Sequence, residues 1–303
     1  MVSILPDRRE QFSVWVGALR PGHWVKNLLV FLPVVGLGLE SDAGQLAKSL
    51  LAFACLSLAA SCVYLLNDVW DRKNDSQHPR KRARAIASGR IKPEHAVRVA
   101  LGLGLAALLV SVAVSWPTML VVGLYQLGAI IYGLFAKRLV AVDIVVLSAL
   151  FLTRVFAGSV AAEIPVSQWL FVTAFFAFLG LAASKRIVEI QQIEADAVAD
   201  TTPILPGRGY QTADREALQV LGVAASFSSA VLLSLFIHDL LETIGGPSQF
   251  LWVGLILWVS WLSRFWILVI RGAISRDPIV FVSKDVFSLI AAGLISLIFL
   301  FFG

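Results

Sequence analysis

Charge is scarce in this chain: Asp, Glu, Lys and Arg make up 15% of its 303 residues, against roughly 25% in ordinary soluble domains. A disordered chain is thereby excluded, because disorder needs high charge and low hydrophobicity. A soluble globular enzyme is disfavoured as well. Hydrophobic residues are 58% of the sequence and mean hydropathy is +0.82, more apolar surface than one water-facing core can hide. Cysteine is nearly absent. Cys55 and Cys62 share one apolar stretch, at a spacing of about 10.5 Å along a helix axis. That is too far for a disulfide, and they form no metal-type cluster. The first residues, with Asp7, Arg8, Arg9 and Glu10, hold no long apolar run, so a secretory signal peptide is not expected. A short amphipathic helix at the membrane interface fits 12–19. What remains is an all-α polytopic membrane protein, its outer apolar surface covered by lipid.

Nine apolar segments of spanning length are predicted, at 21–39, 49–66, 95–116, 118–135, 142–161, 166–183, 217–237, 250–270 and 286–302. They do not alternate apolar and polar residues as barrel strands would. Small residues such as Gly102, Gly104 and Ala106 allow close helix approach. With the N-terminus inside, 22 of the 25 cations fall on the cytoplasmic side and only Lys48 on the other, while Arg154 and Arg264 lie within spans. The positive-inside rule therefore predicts nine helices, N-in and C-out. Residues 1–20 form an N-terminal interfacial segment of one domain covering 1–303. Two long cytoplasmic loops, 67–94 and 185–216, are where chemistry is expected.

Asn67-Asp68-Val69-Trp70-Asp71-Arg72-Lys73-Asn74-Asp75 closes the second span. Carboxylates at 68, 71 and 75 follow i, i+3, i+7 and share one face of a continuing helix. Side by side they repel one another unless a cation joins them. Mg²⁺ takes oxygen ligands and is usually shared between carboxylates and phosphates, so a Mg²⁺-complexed diphosphate suits the patch. The plainer reading is a solvated helix end. The basic run that follows, Arg80 to Arg84, fits phosphate or anionic lipid, and His78 before Pro79 reads more simply as a turn residue.

Asn67-Asp68-x-x-Asp71-x-x-x-Asp75 resembles the first aspartate-rich motif of the UbiA superfamily of intramembrane prenyltransferases, and nine helices with two long cytoplasmic loops match that fold. Leu19-Arg20-Pro21-Gly22-His23-Trp24-Val25-Lys26-Asn27 is similar to the opening motif of its decaprenyl-phosphate phosphoribosyltransferase branch. So are His78-Pro79-x-Lys81-Arg82, Arg154 with Ala157-Gly158, Ser184-Lys185-Arg186-x-x-Glu189, and Arg276-Asp277-Pro278 with Asp285. This resemblance implies transfer of 5-phosphoribose from phosphoribosyl diphosphate to a polyprenyl phosphate, at the cytoplasmic face of a bacterial cytoplasmic membrane and with Mg²⁺ as cofactor. Where ordinary members carry a second Asp-rich motif after the sixth span, this chain has Lys185-Arg186-Ile187-Val188-Glu189. That makes a poor second metal patch and a good phosphate clamp.

On this reading Asp68, Asp71 and Asp75 hold the metal, with Asn67 beside them. Lys26, Arg82, Lys137, Lys185, Arg186 and Glu189 serve the phosphates. Arg154 faces a polar cavity or snorkels to the interface. Tyr64 and Tyr132 hydrogen-bond the ribose or simply pack. Arg264 has no assigned role, Asp277 either serves the site or turns the chain before Pro278, and Gly207-Arg208-Gly209-Tyr210 could close over the donor. The expected partners are phosphoribosyl diphosphate, polyprenyl phosphate and membrane lipid. Nucleic acid is not among them, and a homo-oligomer is compatible. Two other readings stand beside this one: prenyl transfer from a prenyl diphosphate to an aromatic acceptor, and a transporter or lipid-binding scaffold.

Overall fold

A computed structural model describes residues 8–36, 41–77, 81–165, 167–196, 204–205, 207–244, 248–275 and 277–302. Among these, the elements are helical, with one isolated antiparallel bridge between Ile204 and Gln211. Seven helices are long and apolar enough to cross a membrane, and an eighth, Val286–Phe302, is apolar but shorter.

The chain forms two compact units. The first comprises Met1–Leu28 and Leu50–Gly133. It contains α1 (Arg8–Leu19), most of α3 (Ala43–Trp70), α4 (Arg72–Gln77), α5 (Pro93–Val114) and α6 (Trp116–Leu134). Pro93 occupies the first turn of α5, where a missing N–H leaves no bond unmade. Helix α1 leaves Phe12 exposed and packs Trp15, Ala18 and Leu19 onto a core of Cys62, Leu65, Ile86, Ile91, Ala96 and Ala100. Ile86 and Ile91 thus anchor the loop after the acidic motif to α3. Gly104 faces Cys62 of α3, whereas Gly102 meets open space. Leu101, Leu105 and Leu109 on α5, and Leu120, Leu124 and Leu127 on α6, form exposed apolar stripes at helical spacing.

The expected first span departs most from the prediction. Residues Pro21–Phe31 form a 3₁₀ helix and Leu32–Gly36 a short α2, and residues 37–40 lie outside the described set. Pro33 cannot donate to the Leu29 carbonyl, which interrupts the α ladder there. Within the first unit, side chains hold the 3₁₀ stretch to α3: Trp24 Nε1 donates to Ser61 Oγ at 3.1 Å and Asn27 Nδ2 to Ser57 Oγ at 3.1 Å.

The second unit, Leu29–Ser49 and Leu134–Gly303, holds α2, α7 (Val142–Ala162), α8 (Gln168–Asp196), α9 (Arg215–Ile244), α10 (Leu251–Ile270), α11 (Pro278–Val282) and α12 (Val286–Phe302). Helices α8 and α9 make its most extensive pairing. Gly222 permits it, since a Cβ there would overlap the Trp266 ring and Ala183. Buried indoles find hydroxyl partners: Trp261 Nε1 donates to Ser288 Oγ and Trp266 Nε1 to Ser226 Oγ, both at 2.9 Å. Three helices overrun their predicted ends by several residues, among them α9, which runs to Ile244 rather than 237. Helix α3 runs to Trp70 rather than 66, and α8 to Asp196 rather than 183. Lys185, Arg186 and Glu189 therefore stand on a helix, not in a loop. The reason is that α8 keeps burying Ile187, Val188 and Ile190 beyond its charged residues, so the apolar packing that sustains a helix does not stop at Lys185.

Candidate functional site

The acidic motif lies in the first unit, at the junction of α3 and α4. The helical bond pattern carries across that junction: Asp71 N donates to Asn67 O at 2.9 Å and Asp75 N to Asp71 O at 2.8 Å. Asp68 and Asp75 are only 5% and 3% exposed. Arg84, from the turn after the 3₁₀ helix Lys81–Ala83, bridges them: its Nη1 lies 2.6 Å from Asp75 Oδ2 and 3.2 Å from Asp68 Oδ1. Arg20 Nη2 reaches the same Asp68 oxygen at 2.6 Å. Arg20 has a backbone φ of +55°, the left-handed region that non-glycine residues rarely occupy. Its guanidinium lies over the Tyr64 ring, 5.2 Å from the centroid, and His23 meets that ring edge-on at 5.5 Å. Asn67 Oδ1 is buried without a hydrogen-bond partner. It points at Gly133 of α6, where a Cβ would overlap it.

The expected triad of carboxylates is thus a pair. Asp71 is half-exposed, and no group of three or more His, Cys, Asp or Glu is placed to share a metal among the described residues. The remaining donors still suit Mg²⁺, which commonly takes one or two carboxylates and leaves its other positions to phosphate and water. Asp68 and Asp75 supply oxygen donors only, and the pair already grips one shared cation, whereas the Asn67 side-chain oxygen points at Gly133. Arg82, expected to serve the phosphates, is exposed, and its neighbour Arg84 is the cation that reaches the aspartates. His78, Pro79 and Arg80 lie outside the described residues. Lys26 is buried on the 3₁₀ helix, and Tyr132 is half-buried beside Gly133.

A second polar cluster lies within the second unit. Asp143, at the start of α7, and Arg186, on α8, are both fully buried. Arg186 Nε donates to Asp143 Oδ2 at 2.6 Å, and its Nη1 donates to Glu189 Oε2. Tyr210 donates its hydroxyl hydrogen to Asp143 Oδ1 at 2.6 Å and accepts from the Ala141 N–H at 2.9 Å. Arg208 completes the cluster, 3.6 Å from Glu189 and 3.9 Å from Asp143. Burial first, and the Asp143 carboxylate second, push the Tyr210 phenol above its ordinary value, so it stays a donor through neutral pH. Gly209 makes the docking possible, because a Cβ there would overlap the Arg138 carbonyl oxygen. Arg186 is therefore engaged by two carboxylates rather than presented to a ligand. Arg208 and Lys185, 19% and 26% exposed, are the accessible cations.

Lys185 Nζ lies 3.3 Å from Asp277 Oδ2, and Asp277 also caps α11 by accepting from Ile279 N at 3.0 Å. Arg276 lies outside the described residues. Arg154 is buried on α7, donates to the Leu150 carbonyl one turn back, and covers the Phe151 ring at 5.1 Å. Lys137 is half-buried in the 3₁₀ turn Ala136–Arg138. Arg264 has a structural partner: it grips Asp285 bidentately at 2.7 and 3.0 Å. Those bonds first, and the Ser288 donors after them, hold the Asp285 carboxyl below its ordinary value.

Asp143 is absent from the site expected from sequence, Arg20 and Arg84 appear there only within longer motifs, and Arg208 and Tyr210 appear only as part of a segment closing over the donor, whereas Tyr210 docks on Asp143. Asp143 carried a usable signal, a lone carboxylate among Val140, Ala141, Val142 and Ile144 at a membrane boundary.

Residues 29–290 match the UbiA prenyltransferase family. The chain belongs to the UbiA prenyltransferase family. It is accordingly an integral membrane protein of a transferase family. This UbiA chain is 32% identical to nodulation protein NoeC of Azorhizobium caulinodans, over 95% of its own length and 94% of that protein. It is 40% identical to the decaprenyl-phosphate phosphoribosyltransferase of Mycolicibacterium smegmatis over 183 residues, 59% of this chain and 58% of that one. Among solved structures, a UbiA homolog from Archaeoglobus fulgidus bound to GPP and Mg²⁺ matches its fold with a TM-score of 0.67, covering 95% of this chain and 97% of that one at 16% identity.

Proposed function

We propose that this UbiA protein transfers 5-phosphoribose from phosphoribosyl diphosphate to a polyprenyl phosphate. Diphosphate is released, and the donor is taken from the cytoplasm. The observation that carries the reading is the contrast between the polar clusters. The first unit offers one acidic pair, Asp68 and Asp75. The corresponding place on α8, Lys185 to Glu189, has its carboxylate matched by Arg186 and Arg208. One acidic pair suits one metal-bound diphosphate. In the second unit, the partly exposed cations Lys185 and Arg208 suit phosphate groups rather than a second metal. The partial similarity to decaprenyl-phosphate phosphoribosyltransferases supports the same choice.

Asp68 and Asp75 would hold Mg²⁺ on the leaving diphosphate, with Asp71 beside that pair. Bound there, the metal supplies neutralisation of the charge that grows as the C1–O bond breaks. Arg84 and Arg20 are within reach of the same carboxylates and would grip the diphosphate oxygens. The acceptor phosphate is mostly ionised near neutrality, its second pKa being about 6. No side chain need deprotonate it, and a single displacement inverts C1. Tyr64, whose ring lies under the Arg20 guanidinium, would orient the ribose. Nine membrane passages, N-in and C-out, complete this reading, with 21–36 and 286–302 serving as the passages beyond the seven long helices.

The second reading, prenyl transfer to a small acceptor, is favoured by the family's own description. Purified protein in nanodiscs with Mg²⁺ separates the two. Diphosphate release from phosphoribosyl diphosphate that requires polyprenyl phosphate, and falls at least about a hundredfold in Asp68→Asn, is the expected result. Release only from a prenyl diphosphate, with 4-hydroxybenzoate as acceptor, would overturn it.

A further inference from the structure

The acidic pair of the first unit is already neutralised by the protein itself. Arg84 Nη1 stands between Asp68 Oδ1 and Asp75 Oδ2, at 3.2 and 2.6 Å, where a shared cation would sit. Arg20 Nη2 adds a second guanidinium on Asp68 Oδ1 at 2.6 Å. The aspartate side chains are 6% and 5% exposed, so solvent screens these contacts little, whereas the side chains of Arg20 and Arg84 are 22% and 32% exposed and have room to move. Arg20 is held in this pose at a φ of +55°, and backbone strain of that kind persists only where the surroundings enforce it.

A bare divalent cation entering the pair meets these guanidiniums. It must break three charge-assisted contacts, and it leaves two arginines beside a dication with nothing to receive them. A metal–diphosphate complex resolves both problems at once. Its cation satisfies the carboxylates, and its oxygens take the guanidiniums, for which they are good bidentate partners. We infer that Arg84 and Arg20 act as a guanidinium plug that keeps the Asp68–Asp75 pair from binding metal alone and releases onto the diphosphate when the two arrive together. This rests on the metal–diphosphate reading of the pair. The plug makes metal and diphosphate bind with positive coupling, and the coupling is reciprocal. It also means that unproductive metal-only occupancy is suppressed.

Mn²⁺ is the probe. Its binding to the full chain in nanodiscs is followed by the loss of the free-ion electron paramagnetic resonance signal. Inorganic diphosphate binding is followed separately with labelled diphosphate, with and without Mn²⁺. The wild type is expected to bind Mn²⁺ alone weakly and diphosphate tightly only with Mn²⁺. Arg84→Gln is expected to bind Mn²⁺ alone at least about tenfold tighter, and Mn²⁺-diphosphate at least about tenfold weaker, each the change produced by 1.4 kcal/mol. Arg20→Gln gives the same signs, and serves should Arg84→Gln fail to fold. Unchanged or weaker Mn²⁺ binding in a folded variant overturns the plug while leaving the metal reading intact, as does wild-type protein that binds Mn²⁺ equally well with and without diphosphate. No Mn²⁺ binding in any variant, with or without diphosphate, overturns the metal reading itself.

Discussion

The sequence presents Asp68, Asp71 and Asp75 as one acidic face, because carboxylates at a membrane boundary need a reason to be there, and the structure brings Asp68 and Asp75 together on Arg84. Their spacing, i and i+7, returned them to one side of a helical junction that the backbone preserves. Their arginine partners were not legible. Arg20 is 48 residues from Asp68 in sequence, and Arg84 is one of several neighbouring cations that local spacing cannot rank. Arg264 was ambiguous for the same reason, and its partner resolves it. Asp285 accepts two bonds from Arg264 and two from Ser288, a set that fixes the start of α12. With its carboxyl held below the ordinary value of 3.8, the pair's stabilisation is present above that value and lost as pH falls through the lowered one. Asp285→Asn is therefore expected to lower stability by about 1 kcal/mol at pH 7, the scale of a partly exposed pair. The difference from wild type should vanish in strong acid. Thermal melting in detergent across pH checks this. A loss that is independent of pH would assign the effect to packing instead.

Helix α8 shows where pattern reading stopped short. Its apolar run weakens at Ser184, so Lys185, Arg186 and Glu189 read as a loop, yet Ile187, Val188 and Ile190 continue to be buried. The charges that interrupt the run are accommodated because Asp143 from α7 and Tyr210 from the following loop come to meet them; Asp143 stands out in sequence as a lone carboxylate, but its pairing with Arg186, 43 residues away, does not. Tyr210→Phe removes the hydroxyl that serves both Asp143 and the Ala141 N–H, at an expected loss of about 2 kcal/mol. Arg186→Met leaves the buried Asp143 without its main countercharge, at about 3–5 kcal/mol. Unfolding of the two variants in the same detergent should rank them in that order. Equal and negligible losses would mean that the cluster does not brace the second unit. The broken first segment is the converse case: its apolar composition reads as one span, whereas Pro33 and the 3₁₀ geometry divide it into two pieces.

For the molecule as a whole, low charge and nine apolar runs led to a helical membrane protein, and seven long apolar helices with a family match over 29–290 support that much. The number of passages and the side that each loop faces rest on cation placement, which is a property of sequence and not of packing. The chemistry is the larger claim, because family members share a fold while their substrates differ. The central claim, that ribose 5-phosphate and not a prenyl group is what moves, makes a specific demand on where atoms go. Phosphoribosyl diphosphate carrying one label on the 5-phosphate and another on the terminal phosphate of the diphosphate is incubated with Mg²⁺, polyprenyl phosphate and the purified protein. The account predicts that the 5-phosphate label enters the lipid extract in step with release of the other as inorganic diphosphate, both being lost in Asp68→Asn. A lipid extract that stays unlabelled while the acceptor and metal are present would contradict it.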